Sequence, residues 1–156
     1  MKKKSLVIGL VIFFLDQLIK IIINKSFYYG FLKTIVPNFI YLTKVYNKGA
    51  AWSTFMGARL FLIVVSLLAF VFIWEYQKKF KNSKRNALTF GLIYGGLLGN
   101  LWDRITLGYV IDYIKVNLGS YNFPIFNLAD MTIVGGFLLL MYALFKGEDS
   151  YGNKSK

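Results

Sequence analysis

The sequence has no cysteine and no histidine. Their absence excludes disulfides, thiol nucleophiles, Ser-His triads and almost every zinc site. Any acid–base chemistry must then come from carboxylates. These are scarce as well: seven acidic residues stand against 19 lysines and arginines, for a net charge of +12. Internal repeats and low-complexity segments are also missing.

What the chain has in quantity is apolar surface. It is 56% hydrophobic and 19% aromatic, with a mean hydropathy of +0.52. Over 156 residues this describes an integral membrane protein and not a soluble domain. In such a chain basic residues gather in cytoplasmic loops and beside anionic lipid, so the net charge does not point to nucleic acid, and none is expected as a partner.

A crossing needs roughly 17–25 apolar residues. Four segments qualify: 5–23, 56–74, 87–104 (apolar to Trp102, then a polar exit) and 128–145. The third is short as a purely apolar run. Lys2–Lys4 precede the first segment, Lys78, Lys79, Lys81, Lys84 and Arg85 link the second to the third, and Lys146, Lys154 and Lys156 follow the fourth. With an even number of crossings these clusters share one side, which predicts that both termini are cytoplasmic. Links 24–55 and 105–127 are then extracytoplasmic. The first link weakens the bias, because it holds Lys25, Lys33, Lys44 and Lys48. Segment 5–23 is too long and too charged for a cleaved signal peptide.

The outer links carry structure of their own. Asn38–Lys48 alternates Phe39, Tyr41, Thr43 and Val45 against Ile40, Leu42, Lys44 and Tyr46, which predicts a strand. "GYVIDYIKV" puts Val110, Asp112, Ile114 and Val116 on one face of a second strand. Phe27, Tyr28, Tyr29 and Phe31 suit an interfacial aromatic belt. The expected fold is one all-α membrane domain over 1–156 with a small β element, a sheet lying on the outer membrane surface. The tail 147–156 reads as a disordered end.

The polar residues gather at one depth. A helix turns about 100° per residue, which brings Gly9, Asp16 and Lys20 within about 40° of arc. Asp16 and Lys20 can pair as i,i+4 neighbours, and that pair either locks helix packing or marks a site. In the third segment Gly91, Gly95 and Gly99 form a packing stripe. Beside it run Gly96, Asn100 and Asp103, with Arg104 following. In "FNLAD", Asn127 can cap the fourth helix, and Asp130 then sits in its first turn, where an anion suits the dipole. Capping alone would account for Asp130. It would not account for Asp16, Asp103, Asp112 and Asp130 all lying near the outer leaflet. Two carboxylates at close range share one proton, so that one serves as base and the other as acid. The spacing does not say which two of the four pair.

Five stretches taken together resemble the bacterial lipoprotein signal peptidases (signal peptidase II). They are "DQLIK" (16–20), "NKGAAW" (47–52), "GGLLGNLWDR" (95–104), "GYVIDYI" (108–114) and "FNLAD" (126–130), in the family's order and across essentially the whole chain. The resemblance implies a membrane aspartic peptidase whose dyad is Asp112 and Asp130. It implies that Asn47, Gly96, Asn100, Arg104 and Asn127 support substrate and dyad, that Asp16 and Lys20 hold the first helix against the site, and that Asp103 is scaffold. The family's usual Phe positions are Tyr113 and Trp52 here, which keeps an aromatic ring at each. The implied substrate is a prolipoprotein with a diacylglyceryl-modified Cys, cut on the N-terminal side of that Cys. No cofactor or metal is expected. The expected partners are this substrate and membrane lipids, with the chain a monomer in the bacterial cytoplasmic (inner) membrane and its site on the extracytoplasmic side. The rival readings are a proton- or ion-coupled transporter using buried carboxylates and a metal-dependent lipid-headgroup transferase.

Overall fold

The computed structural model describes residues 1–50, 54–119 and 121–149. Trp52 and the end of "NKGAAW" lie outside the described residues, as does the tail from 150 onward. The chain is mostly helical. Helices α1 (Lys2–Ser26), α2 (Arg59–Tyr76) and α4 (Leu128–Phe145) are long and apolar enough to cross a membrane. They turn outward large apolar side chains such as Val11 and Phe14, Leu68 and Phe72, and Leu138 and Met141.

Helix α3 (Lys84–Thr106) differs. It has 23 residues, but Asn86, Thr89, four glycines, Asn100, Asp103 and Arg104 interrupt its apolar surface. By length and composition, three described helices qualify as spans and not the four read from the sequence. The physical reason is that much of α3 faces protein. It packs against α1, α2 and α4, and Phe90, Ile93 and Tyr94 are fully buried in the core.

Glycine permits that close approach. A Cβ at Gly91 would lie 2.6 Å from the Ile8 Cβ, and one at Gly95 would lie 2.5 Å from the Ile12 Cβ. The stripe is therefore the α1–α3 seam. On another side of α3, a Cβ at Gly96 would come within 2.7 Å of the Thr132 hydroxyl on α4. Gly96 sets the spacing of two helices beside the site and brings no polar group to it.

Four antiparallel strands follow the order β1–β2–β3–β4: β1 (Leu32–Val36), β2 (Ile40–Asn47), β3 (Val110–Leu118) and β4 (Tyr121–Asn122). The expected strands are β2 and β3. Strand β1 was not anticipated, although the turn at Pro37 and Asn38, with Asn38 at φ 58, closes a β1–β2 hairpin. The simple alternation in β2 also fails. Its register against β3 shifts between Leu42 and Val45, and the neighbours Thr43 and Lys44 are both buried. The Thr43 hydroxyl donates to the Phe31 carbonyl (2.6 Å), and Lys44 Nζ donates to the Asn24 carbonyl (2.9 Å). A bulge lets two successive side chains turn inward, and it brings Val45 opposite Asp112. Ile111 and Tyr113 pack on Ile23, fastening the sheet to the end of α1.

The beginning of the tail is ordered, contrary to the reading from sequence. Lys81 N donates to the Glu148 carbonyl (2.9 Å), Phe80 pairs with Asp149 in a β-bridge, and Glu148 forms an ion pair with Arg85. The chain after α4 thus returns to the α2–α3 link.

Candidate active site

The site begins with the cap of α4. Asn127 has extended backbone, and its side-chain oxygen accepts from Asp130 N at 3.0 Å. In return the Asp130 Oδ2 accepts from Asn127 N at 3.2 Å, which completes a capping box. The box occupies one Asp130 oxygen. The other, Oδ1, accepts from Asn100 Nδ2 at 2.7 Å. Capping therefore leaves one Asp130 oxygen for a partner on α3.

Asp112 arrives from β3 with 2% of its surface exposed. Its Oδ1 accepts from Asn127 Nδ2 (2.7 Å), and its Oδ2 accepts from Asn47 Nδ2 (2.9 Å). Asn127 Nδ2 also reaches Asn100 Oδ1 at 3.1 Å. The two carboxylates thus hang from one chain of amides: Asn47, Asp112, Asn127, Asn100, Asp130. Burial, then the charge of Asp130, pushes the Asp112 carboxyl up to about 7, against the opposing effect of its amide donors.

A second polar layer lies behind this one. Lys20 Nζ sits 2.8 Å from Asp16 Oδ2 and 2.9 Å from Asp103 Oδ2, and it donates to Asn100 Oδ1 at 3.1 Å. All three charged groups are buried. Asp16 Oδ1 accepts from Ala129 N (3.0 Å), and Asp103 Oδ2 accepts from Ile111 N (3.2 Å). One lysine on α1 therefore joins the start of α4, the start of β3 and the end of α3. Gly99 is required here, because a Cβ at that position would overlap the Asp16 carboxylate.

Asp103 and Arg104, adjacent in sequence, part company. Asp103 faces Lys20, while Arg104 donates to the Asn100 carbonyl (3.3 Å) and the Gly49 carbonyl (3.1 Å). Arg104 thereby ties the segment after β2 to α3. A cavity of about 450 Å³ opens on Asp112, lined by Tyr46, Asn47, Lys48, Met56, Pro124 and Ile125.

Residues 8–146 match the signal peptidase (SPase) II family. The chain belongs to the signal peptidase II family. It is 35% identical over 156 residues to the lipoprotein signal peptidase of Staphylococcus haemolyticus (strain JCSC1435), covering 96% of this chain and 99% of that protein. To the lipoprotein signal peptidase of Staphylococcus carnosus (strain TM300) it is 36% identical over 141 residues, covering 90% and 89%. Two solved structures described as bacterial membrane enzymes superpose with TM-scores of 0.82 and 0.80, each at 30% identity. Each covers 91% of this chain, and the matches span 87% and 92% of the solved chains. Membership makes the chain a protease of the membrane.

Three side chains of this signal peptidase II chain make polar contacts that the sequence did not reveal. Gln17 Nε2 donates to Asp103 Oδ1 (2.9 Å) and to the Gly99 carbonyl (3.3 Å), fastening α1 to α3 beside the Lys20 layer. Its place next to Asp16 within "DQLIK" was the available signal. The Tyr113 hydroxyl accepts from Leu128 N at 3.0 Å, so this position serves α4 through its oxygen and not only through its ring. Arg59 likewise covers the end of α3, donating to the Arg104 carbonyl (2.7 Å) and the Ile105 carbonyl (2.8 Å).

Proposed function

We propose that this signal peptidase II is an aspartic endopeptidase with Asp112 and Asp130 as its dyad. On this reading it releases the signal peptide of diacylglyceryl-modified prolipoproteins by cutting N-terminal to the lipidated Cys. The observation that carries the proposal is the amide chain that links Asp130 to Asp112, the carboxylate at the cavity, with the charge of Asp130 acting on Asp112. On this reading the two like charges share one proton. Asp112, pushed up to about 7, holds that proton in neutral and acidic solution. Asp130 takes a proton from water as the water attacks the scissile carbonyl, and Asp112 donates to the carbonyl oxygen. Asn100 and Asn127 keep the two groups in register. Lys20, Asp16, Asp103 and Gln17 brace the elements that carry them.

The same reading makes α3 a fourth crossing, sheltered by its neighbours, with both termini in the cytoplasm and the sheet outside. The basic α2–α3 link supports this sidedness. A reporter fused after Lys156 tests it, and activity of an exterior reporter there would reverse the orientation. The enzyme is then a single-domain monomer of the bacterial cytoplasmic membrane. Its site lies at the depth where the acylated Cys of a substrate rests, so the substrate need not leave the bilayer. Family membership disfavours the transporter reading.

The direct test is purified protein in detergent with a lipidated precursor, reading signal-peptide release on a gel. Cleavage should persist in EDTA, and the same precursor with an unmodified Cys should remain intact. Equal cleavage of the two precursors removes lipid from the specificity. Loss of activity in chelator with recovery in Mg²⁺ restores the transferase-type alternative.

The pH dependence follows from Asp112. The form with Asp112 protonated is present below about 7 and disappears as pH rises through that value. Activity should decline on the alkaline side over that interval, as a property of the pair. Asn47 donates to the ionised carboxylate and so lowers the Asp112 pKa. Asn47→Ala should therefore move the alkaline limb to higher pH. A limb that stays put, or moves lower, separates Asn47 from the titration.

A further inference from the structure

Lys48 stands at the active-site cavity without a part in the networks described above. It lines the same cavity as Asp112 and Asn47, and among the described residues it is the one cation that does so. The chain on both sides of it is pinned. Asn47 Nδ2 donates to Asp112 Oδ2 (2.9 Å), and Asn47 Oδ1 accepts from Gly49 N (2.9 Å). The Gly49 carbonyl accepts from Arg104 (3.1 Å). Consecutive Cα atoms are about 3.8 Å apart. Lys48 is therefore held one residue from a side chain that touches the Asp112 carboxylate.

Its charge is not spent inside the protein. Both Asp112 oxygens are taken by amides, and no ion pair joins Lys48 to a carboxylate of the described residues. Lys44 differs, since it is buried and bonded to Asn24. Lys48 is exposed. The rest of the cavity wall is aromatic or aliphatic, from Tyr29, Val45, Tyr46, Met56, Pro124 and Ile125. Against such a wall a single ammonium sorts occupants by charge more than it adds affinity.

Cleavage at Asp112 requires polypeptide in this cavity on both sides of the scissile bond. On one side that chain is the apolar signal segment, which stays in the bilayer. On the other it is the mature portion, which leaves toward water. Lys48 is open to solvent, so it meets the mature side. An extended chain advances about 3.3 Å per residue, which brings the first few residues beyond the bond within reach of a lysine placed this close to the dyad. We propose that Lys48 is a specificity-determining residue of the peptidase, favouring an acidic side chain just after the modified Cys and disfavouring a basic one. This rests on the peptidase reading above.

The test uses lipidated precursors with one signal peptide and one lipid, differing only in Asp, Asn or Lys at each of the first three positions after the modified Cys. At one of these positions the full-length protein should cut the Asp form about two- to fivefold faster than the Lys form in kcat/KM, as expected for one solvent-accessible charge pair. Added salt should shrink the ratio. Lys48→Glu should reverse it, and Lys48→Gln should flatten it. The ratio is taken within each protein, so a partial loss of folded enzyme in a variant cancels. Lys115→Glu is the control: Lys115 is exposed on β3 and outside this cavity, and the Asp preference should survive its change. Equal rates for all charges in the parent, or an unchanged preference in Lys48→Glu, overturn the assignment. An effect of Lys48→Glu that follows the anionic lipid content of vesicles and not the substrate charge gives Lys48 to lipid headgroups and also overturns it. Failure to cut every lipidated precursor is a different result, because it removes the peptidase reading itself.

Discussion

Asp112→Asn should bring precursor cleavage to background, and Asp130→Asn should do the same. Loss of one acid or base typically costs about 10²–10⁴-fold, and groups acting as a unit lose more. Asparagine keeps the shape of each side chain but cannot carry the proton that the proposed dyad would share. The structure adds a stability effect that shape alone does not predict. Both oxygens of Asp112 accept from amide nitrogens, those of Asn127 and Asn47. An asparagine there must turn its own NH₂ toward one of those donors, leaving a buried polar group unsatisfied at a cost of about 1–3 kcal/mol. Each variant therefore needs a thermal unfolding curve in the same detergent beside its kinetics. The expected pattern is a modest fall in midpoint with activity absent at temperatures where the variant is fully folded. Substantial turnover by either folded variant removes that residue from the dyad.

The second large effect concerns Lys20, which touches neither dyad carboxylate. Lys20→Met keeps the length of the side chain but leaves Asp16 and Asp103 facing one another without the ammonium between them. Breaking a buried ion pair from one side costs about 3–5 kcal/mol. The loss should appear as a steep drop in thermal stability and with it a loss of activity, because Lys20 also holds the Asn100 carbonyl oxygen that orients the dyad amides. Adding Asp16→Asn and Asp103→Asn to Lys20→Met removes the uncompensated charge and should recover part of the stability. A Lys20→Met protein that melts within about 1 kcal/mol of the parent contradicts this account of the buried charges.

These two effects separate the two polar layers. The front layer holds Asp112 at the cavity and links it through amides to Asp130. The back layer joins α1, α3, α4 and β3, so its failure moves every part of the site together. Gln17 belongs to the back layer, since its contacts are to Asp103 and Gly99 and not to the dyad.

Some of this was legible in the residues alone. The lack of Cys and His limited acid–base chemistry to carboxylates. Composition made the chain a membrane protein. The glycine stripe announced the close α1–α3 seam, and "FNLAD" announced the α4 cap, because both are local patterns with one common structural solution. The five ordered stretches carried the family, which the match over 8–146 shows. Other features depended on the fold. The i,i+4 spacing revealed that Lys20 could meet Asp16, but only the packing of α1 on α3 decided that it also meets Asp103. Alternation predicted β2 but could not reveal its bulge, because a bulge is a relation between two strands and leaves no period of its own. The docking of Glu148 on the α2–α3 link was invisible for the same reason, since its partners lie more than 60 residues earlier in the chain. The amide chain between Asp112 and Asp130 depends on the fold in the same way. Residues 112 and 130 come from different elements, and the amides that join them come from 47, 100 and 127. Sequence determines which groups are available and how each helix or strand presents them. Which of them share a hydrogen bond is set by the relative placement of those elements, and that exists only once the helices and the sheet have packed.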